Sequence, residues 1–146
     1  MVIRDPLPRD EADWRRLWTG YTTFYEADVP EDVTAETWRR LIARDTPVFG
    51  RVACEKDLVI GFTNSVLHPG TWTKDPICYL EDLFVDPAVR GKGVGRALID
   101  DLIAQARSKG WSKLYWVTRQ SNATARRLYD TFVQADDFVR YLVDIE

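Results

Sequence analysis

The chain has 146 residues, 45% of them apolar and 29% charged, enough for a buried core without disulfide or metal staples. Its 23 acidic residues outnumber 20 basic ones, and the net charge of −3 argues against nucleic acid as the main partner.

The first residues, Met1-Val2-Ile3-Arg4-Asp5, lack the apolar core of a secretory signal. No later run approaches the roughly 18 apolar residues of a membrane span, so a cytoplasmic location away from membranes is the default expectation. Residues 2–5 read as a short strand ended by Pro6 and Pro8, and Asp10 opens a helix. There Trp14, Leu17, Trp18, Tyr21 and Phe24 share one face. An acidic loop around Asp28, Pro30, Glu31 and Asp32 leads to a second helix, expected from Thr34, carrying Trp38, Leu41 and Ile42. Residues 48–54 and 58–67 then read as two strands joined by a turn at Glu55-Lys56-Asp57. A loop with Pro69, Gly70 and Pro76 precedes residues 77–85, apolar on both faces and therefore a central strand.

Val94, Leu98 and Leu102 mark a long helix stopped at Lys109-Gly110. Residues 114–117 form a buried strand, and Ser121 or Asn122 caps a helix with Ala125, Leu128 and Phe132 facing inward. Residues 138–145 close the chain as a last strand. The order predicts an α/β or α+β layered fold with a mixed sheet, antiparallel at first, in one domain over 1–146. Cys54 and Cys78 sit in apolar strands without ligand spacing, and His68 is the sole histidine, so no metal site is expected.

The chemistry concentrates in Arg90-Gly91-Lys92-Gly93-Val94-Gly95-Arg96, which joins the central strand to the long helix. Alternate glycines let the backbone approach a bulky anion and turn successive N–H groups toward it. The helix N-terminus adds its positive end, while Arg90, Lys92 and Arg96 add charge. A pyrophosphate site is the natural ligand class. Lys92 is not followed by Ser or Thr, which removes a Walker A loop, and G-x-G-x-G departs from the dinucleotide fingerprint. The acyl-coenzyme A pattern [RQ]-x-x-G-x-[GA] is met in full.

This loop with its Val85-Asp86-Pro87 entry resembles motif A of the GNAT superfamily of N-acetyltransferases. Downstream, Asn122-Ala123-Thr124-Ala125-Arg126-Arg127-Leu128-Tyr129 resembles the family's N-x-x-A-x-x-L-Y motif. Tyr79-Leu80-Glu81-Asp82-Leu83-Phe84-Val85 is similar to its diamine and polyamine branch. Trp18-Thr19-Gly20-Tyr21 and Phe24-Tyr25 are similar to small yeast-type enzymes acting on polyamines, amino acids or histone lysines.

The resemblance implies a mostly antiparallel sheet splayed where acetyl-coenzyme A enters, about four flanking helices, and direct acetyl transfer to a primary amine in a ternary complex. Leu83, Phe84 and Val85 would hold the pantetheine arm through their backbone. Residues 90–96, Asn122, Ala125 and Arg126 would complete the coenzyme site. Glu81 is the candidate general base, because a carboxylate in an apolar strand is costly unless used or paired. Asp82, expected on the opposite face, is second choice, and Tyr129 is the candidate acid for the departing thiolate. Tyr21, Tyr25, Asp28 and Trp72 would flank the amine, since aromatic faces and carboxylates both attract ammonium. A small amine is the expected acceptor; a protein lysine or N-terminus, and a non-catalytic acyl-coenzyme A module, are the alternatives. A homodimer is expected from family habit and aromatic content. The usual glycine after L-Y-x-x-x is missing here, where Phe132-Val133-Gln134 follows.

Overall fold

A computed structural model describes residues 1–146. The elements are β1 (Val2–Arg4), a 3-10 turn (Pro8–Asp10), α1 (Glu11–Phe24), α2 (Glu31–Ala43), β2 (Val48–Glu55), β3 (Leu58–His68) and β4 (Ile77–Val85). A second 3-10 turn (Pro87–Val89), α3 (Val94–Lys109), β5 (Lys113–Tyr115) and α4 (Ala123–Tyr129) complete them. The sheet runs β1-β2-β3-β4-β5; its first four strands are antiparallel, and β4 and β5 are parallel across the α3 crossover.

Helices α1 and α2 cover one face of the sheet. Trp14 and Leu17 from α1 and Trp38 and Leu41 from α2 bury against Val52, Phe62 and Phe84. The Trp14 ring stacks on Trp18 at 5.3 Å and tilts against Trp38 at 5.2 Å, an aromatic cluster that fixes both helices on the sheet. Helix α3 covers the other face, with Leu98 against Ala53 and Ile60, and Ile99 and Leu102 against Leu80. The chain start is pinned by Arg4, which donates to both oxygens of buried Asp10 at 2.7 and 3.0 Å.

Helix α2 begins at Glu31 rather than near Thr34. Pro30 stands at the N-cap with an extended ψ of 150°, and Glu31 and Asp32 in the first turn suit the positive end of the helix. The expected strand over 138–145 does not form: no ladder reaches these residues, and their large side chains stand exposed. A strand needs an edge to pair with, and the segment takes none here.

Strand β4 positions the site. It pairs with β5 only through Ile77, Cys78 and Tyr79, so residues 80–85 run on with their outer edge unpaired, and the sheet splays. On its other side β4 faces β3, where the register slips: Asn64 opposes Asp82 while Ser65 opposes Leu80. Glu81 is the extra residue of a β-bulge.

Candidate active site

In a regular strand Glu81 and Asp82 would point to opposite faces. The bulge changes the alternation. Leu80 packs on α3 and Phe84 contacts Phe62 and Tyr21 on the α1 side, with three residues between them instead of an odd-even reversal. Glu81 lines a small cavity with Tyr21 and Tyr25, and Asp82 also lies beside Tyr21. Asp82 therefore does not face away from Glu81; both carboxylates reach the α1 side.

The two acids differ in surroundings. Glu81 is exposed. Asp82 is half-buried and accepts from Asn64 Nδ2 at 3.1 Å. Burial pushes its carboxyl up to about 6; the Tyr21 hydroxyl and Asn64 oppose that shift, and the charge of Glu81 adds to it. Burial also raises the Tyr21 phenol, with Asp82 adding to the effect, so Tyr21 stays protonated.

Tyr129, at the end of α4, enters the same cavity, where Trp116 and Val117 form the wall beyond β5. Its ring meets Trp116 edge-on at 5.5 Å, its hydroxyl has no hydrogen-bond partner within the chain, and burial pushes it up to about 12. A phenol kept protonated at a splayed strand can donate to a developing anion. Tyr25 packs on Tyr21 at 5.0 Å, with the Arg119 guanidinium 5.5 Å above its ring.

The glycine loop follows the same strand. Asp86 starts it by accepting from Ala88 N at 3.0 Å and from Arg16 at 2.9 Å. Gly91 and Gly93 adopt φ of +80° and +82°, where other residues are strained, and a Cβ at either would meet nothing within 4 Å. The first bond of α3 runs from Ala97 N to Gly93 O at 3.0 Å. No backbone amide from Gly91 to Arg96 donates within the chain. Six free donors at a helix N-terminus, with open space before them, make an anion cradle. Gly95 serves packing as well, because its missing Cβ would lie 3.2 Å from Leu128 on α4.

The cations divide. Lys92 has no ion-pair partner and flanks the cradle. Arg90 donates to Val85 O at 3.2 Å and covers the Phe84 ring at 5.1 Å, at the end of the unpaired strand edge. Arg96 turns away to Thr131 at 3.0 Å and the Phe132 ring at 5.2 Å. Asn122 caps α4, accepting from Ala125 N at 3.3 Å, and Arg126 donates to Gln120 O at 3.1 Å. Asp28 lies exposed between α1 and α2, and Trp72 is 91% exposed in the β3–β4 loop; neither lines the cavity. Sequence reasoning missed Asn64 and Trp116. A polar Thr63-Asn64-Ser65 run inside an apolar strand was the available signal for the first.

The sequence profile of the Acetyltransferase (GNAT) family matches residues 12–132. The D-amino-acid N-acetyltransferase HPA3 of Saccharomyces cerevisiae is 32% identical over 97% of this chain and 89% of its own length. A thialysine N-epsilon-acetyltransferase of Mus musculus is 33% identical over 92% and 84%. Among solved structures, the ribosomal-protein-alanine N-acetyltransferase of Brucella melitensis biovar Abortus 2308 superposes with a TM-score of 0.80. It is 26% identical and covers 99% of this chain and all of its own. Free amides, left-handed glycines and a splayed strand edge fit the diphosphate and pantetheine arm of the family's acetyl donor. No group of side chains that could hold a metal ion accompanies them. The chain belongs to the GNAT acetyltransferase family and is an acetyl-coenzyme A-dependent N-acetyltransferase.

Proposed function

We propose that the chain acetylates the primary amine of a small molecule, a polyamine, diamine or amino acid, by direct transfer within a ternary complex. The observation that carries this reading is the meeting of Glu81, Asp82, Tyr21, Tyr25 and Tyr129 at the splay of β4, next to the cradle. Two carboxylates and two aromatic faces suit an ammonium ion. The relatives at 32% and 33% identity, named for a D-amino acid and for thialysine, support an acceptor of that class.

In this reading residues 91–96 hold the diphosphate through their amides, with Lys92 beside them, and Leu83, Phe84 and Val85 offer the backbone edge to the pantetheine arm. Exposed Glu81 meets the incoming ammonium. Asp82, with its carboxyl near 6, is ionised at neutral pH yet basic enough to accept the proton, so the second choice shares the base role with Glu81. The amine nitrogen then bonds to the thioester carbon, the carbon–sulfur bond breaks, and Tyr129 protonates the leaving sulfur. Cys54 and Cys78 take no part as acyl carriers: both are buried, and burial pushes the Cys78 thiol up to about 11.

Residues 1–146 act as one catalytic domain, in the cytoplasm and as a homodimer. The test offers acetyl-coenzyme A with polyamines, D- and L-amino acids and lysine peptides, and follows free thiol. Turnover restricted to a small amine supports the reading. Turnover restricted to peptides moves the acceptor to protein, and none with any amine refutes a catalytic role.

A further inference from the structure

Strand β3 carries a polar side chain on a face that is otherwise apolar core. Phe62 packs under α1, and Asn64, two residues on, shares its face. Asn64 is 3% exposed, its Oδ1 has no hydrogen-bond partner, and its Nδ2 donates to Asp82 Oδ2 at 3.1 Å. An ionised carboxylate only accepts, so the amide must turn its N–H₂ to Asp82 and leave its oxygen unpaired. A buried oxygen without a partner lowers stability, and an apolar side chain of the same shape would remove that penalty. The residue retained here therefore serves something other than packing.

Both neighbouring strands shape its place. Asn64 pairs with Gly50 on β2, where a Cβ would lie 3.1 Å from Leu41 of α2 and 3.6 Å from Asn64 Oδ1, so the glycine leaves room under the helix. On the other side Asn64 opposes Asp82, and the register slips immediately beyond this pair. The bulge at Glu81 thus ends with Asp82 against the Asn64 amide. We infer that Asn64 is a positioning residue for acetyl transfer: its amide fixes the rotation of the Asp82 carboxylate through Oδ2 and leaves Oδ1 to take the proton of the acceptor.

In that step an N–H bond of the ammonium breaks, its electron pair stays on nitrogen, and the proton goes to Asp82. The inference rests on the proposed base role of Asp82. Asp82 is faced by Glu81 from its own strand, by Asn64 from β3, and by Tyr21 from α1, behind which stand Tyr25 and Arg119; Tyr129 of α4 closes the same cavity. Burial and the charge of Glu81 favour the protonated carboxyl, while the Tyr21 hydroxyl and the Asn64 amide favour the ionised one. Of these two donors, Asn64 is the one fixed by sheet register. Without it, Asp82 would hold its proton at neutral pH and lose the base function while the pocket kept its shape.

Asn64→Leu keeps the branching at Cγ and removes the donor. Carbon-13 NMR of the side-chain carboxyls in the free protein should show Asp82 titrating about one to two pH units higher in this variant, the worth of one hydrogen bond to a charged group. In kcat/KM for acetyl transfer, followed as free thiol, the ionisation of the amine is common to both proteins and cancels in their ratio. That ratio should be about tenfold down at pH 6 and below, and recover to within about twofold by pH 9 as Asp82 ionises. Lost packing alone would lower it equally at every pH. Thr63→Val removes an unpaired hydroxyl from the opposite face of β3 and should leave titration and ratio unchanged; an equal shift there overturns the assignment to Asn64. If Asn64→Leu does not fold, Asn64→Asp should move the profile the same way, since two adjacent carboxylates do not readily both ionise. Asp82 titrating as in the parent overturns the role of Asn64 and leaves the base reading standing. A shifted titration with a ratio flat in pH overturns the base reading, and the positioning role with it.

Discussion

Asp82→Asn should raise stability at neutral pH while lowering activity. Burial holds the native carboxyl at about 6 against an ordinary 3.8, so the folded state binds that proton more tightly than the unfolded chain does. Below pH 4 both states are protonated and the residue contributes nothing. Between 4 and 6 the unfolded chain ionises first, so stability falls as pH rises; above 6 the full penalty persists. A shift of about two units corresponds to about 3 kcal/mol. Asparagine keeps the shape, still accepts from Asn64 Nδ2, and carries no charge. Urea unfolding of parent and variant across pH 4 to 8 cancels every other titrating group in the difference. The stability gap should widen through pH 4 to 6 by about 3 kcal/mol and then stay flat. A gap that does not change with pH would refute the argument that Asp82 is held in an unfavourable site for its charge.

Tyr129→Phe should lower kcat by about 10²- to 10⁴-fold with acetyl-coenzyme A affinity unchanged by calorimetry; an unchanged kcat gives the proton to another donor. Because burial pushes the phenol to about 12, the parent should show no alkaline loss of kcat from this group at ordinary assay pH. Gly93→Ala forces a Cβ onto a φ of +82°, which costs about 1–2 kcal/mol of folding stability. Its Cβ meets nothing in the chain, so a coenzyme affinity loss of tenfold or more in the folded variant would come from blocking the cradle. Equal affinity would mean the diphosphate binds elsewhere. Gly95→Val places a Cβ 3.2 Å from Leu128 and should shift α4, the helix that carries Tyr129. Kinetics should show kcat falling more than coenzyme affinity, and the reverse split would sink that account.

The parts legible in the sequence are those encoded locally. Apolar periodicity placed α1, α3 and the β2–β3 hairpin, and the glycine loop declared its backbone conformation because few other residues tolerate those φ values. The bulge was not legible. Nothing in Tyr79-Leu80-Glu81-Asp82-Leu83 signals an extra residue, because the slip is set by how β3 pairs across from it. That single displacement turned Asp82 onto the face of Glu81 and reversed an expectation drawn from strand alternation. Trp72 failed for the opposite reason: a large aromatic in a loop suggests a pocket wall, yet loop position says nothing of where the loop lies. The strand expected over 138–145 is absent, because an alternating pattern forms a ladder only where an edge accepts it.

The bulge and the splay meet at one patch of unpaired polar groups in the sheet. Facing the slip, β3 buries Thr63, Asn64 and Ser65 at 1%, 3% and 1% exposure, and Thr63 Oγ1, Asn64 Oδ1 and Ser65 Oγ have no hydrogen-bond partner. Flanking Val59, Ile60 and Phe62 show that this strand is otherwise built as apolar core. Buried polar groups without partners lower stability, as does the buried charge of Asp82 opposite them. These local penalties share one position, where β4 must leave β5 and turn two carboxylates to one side. A sheet optimised for stability would zip β4 to β5 along its length and fill the centre with valine, closing the edge proposed to receive the pantetheine arm.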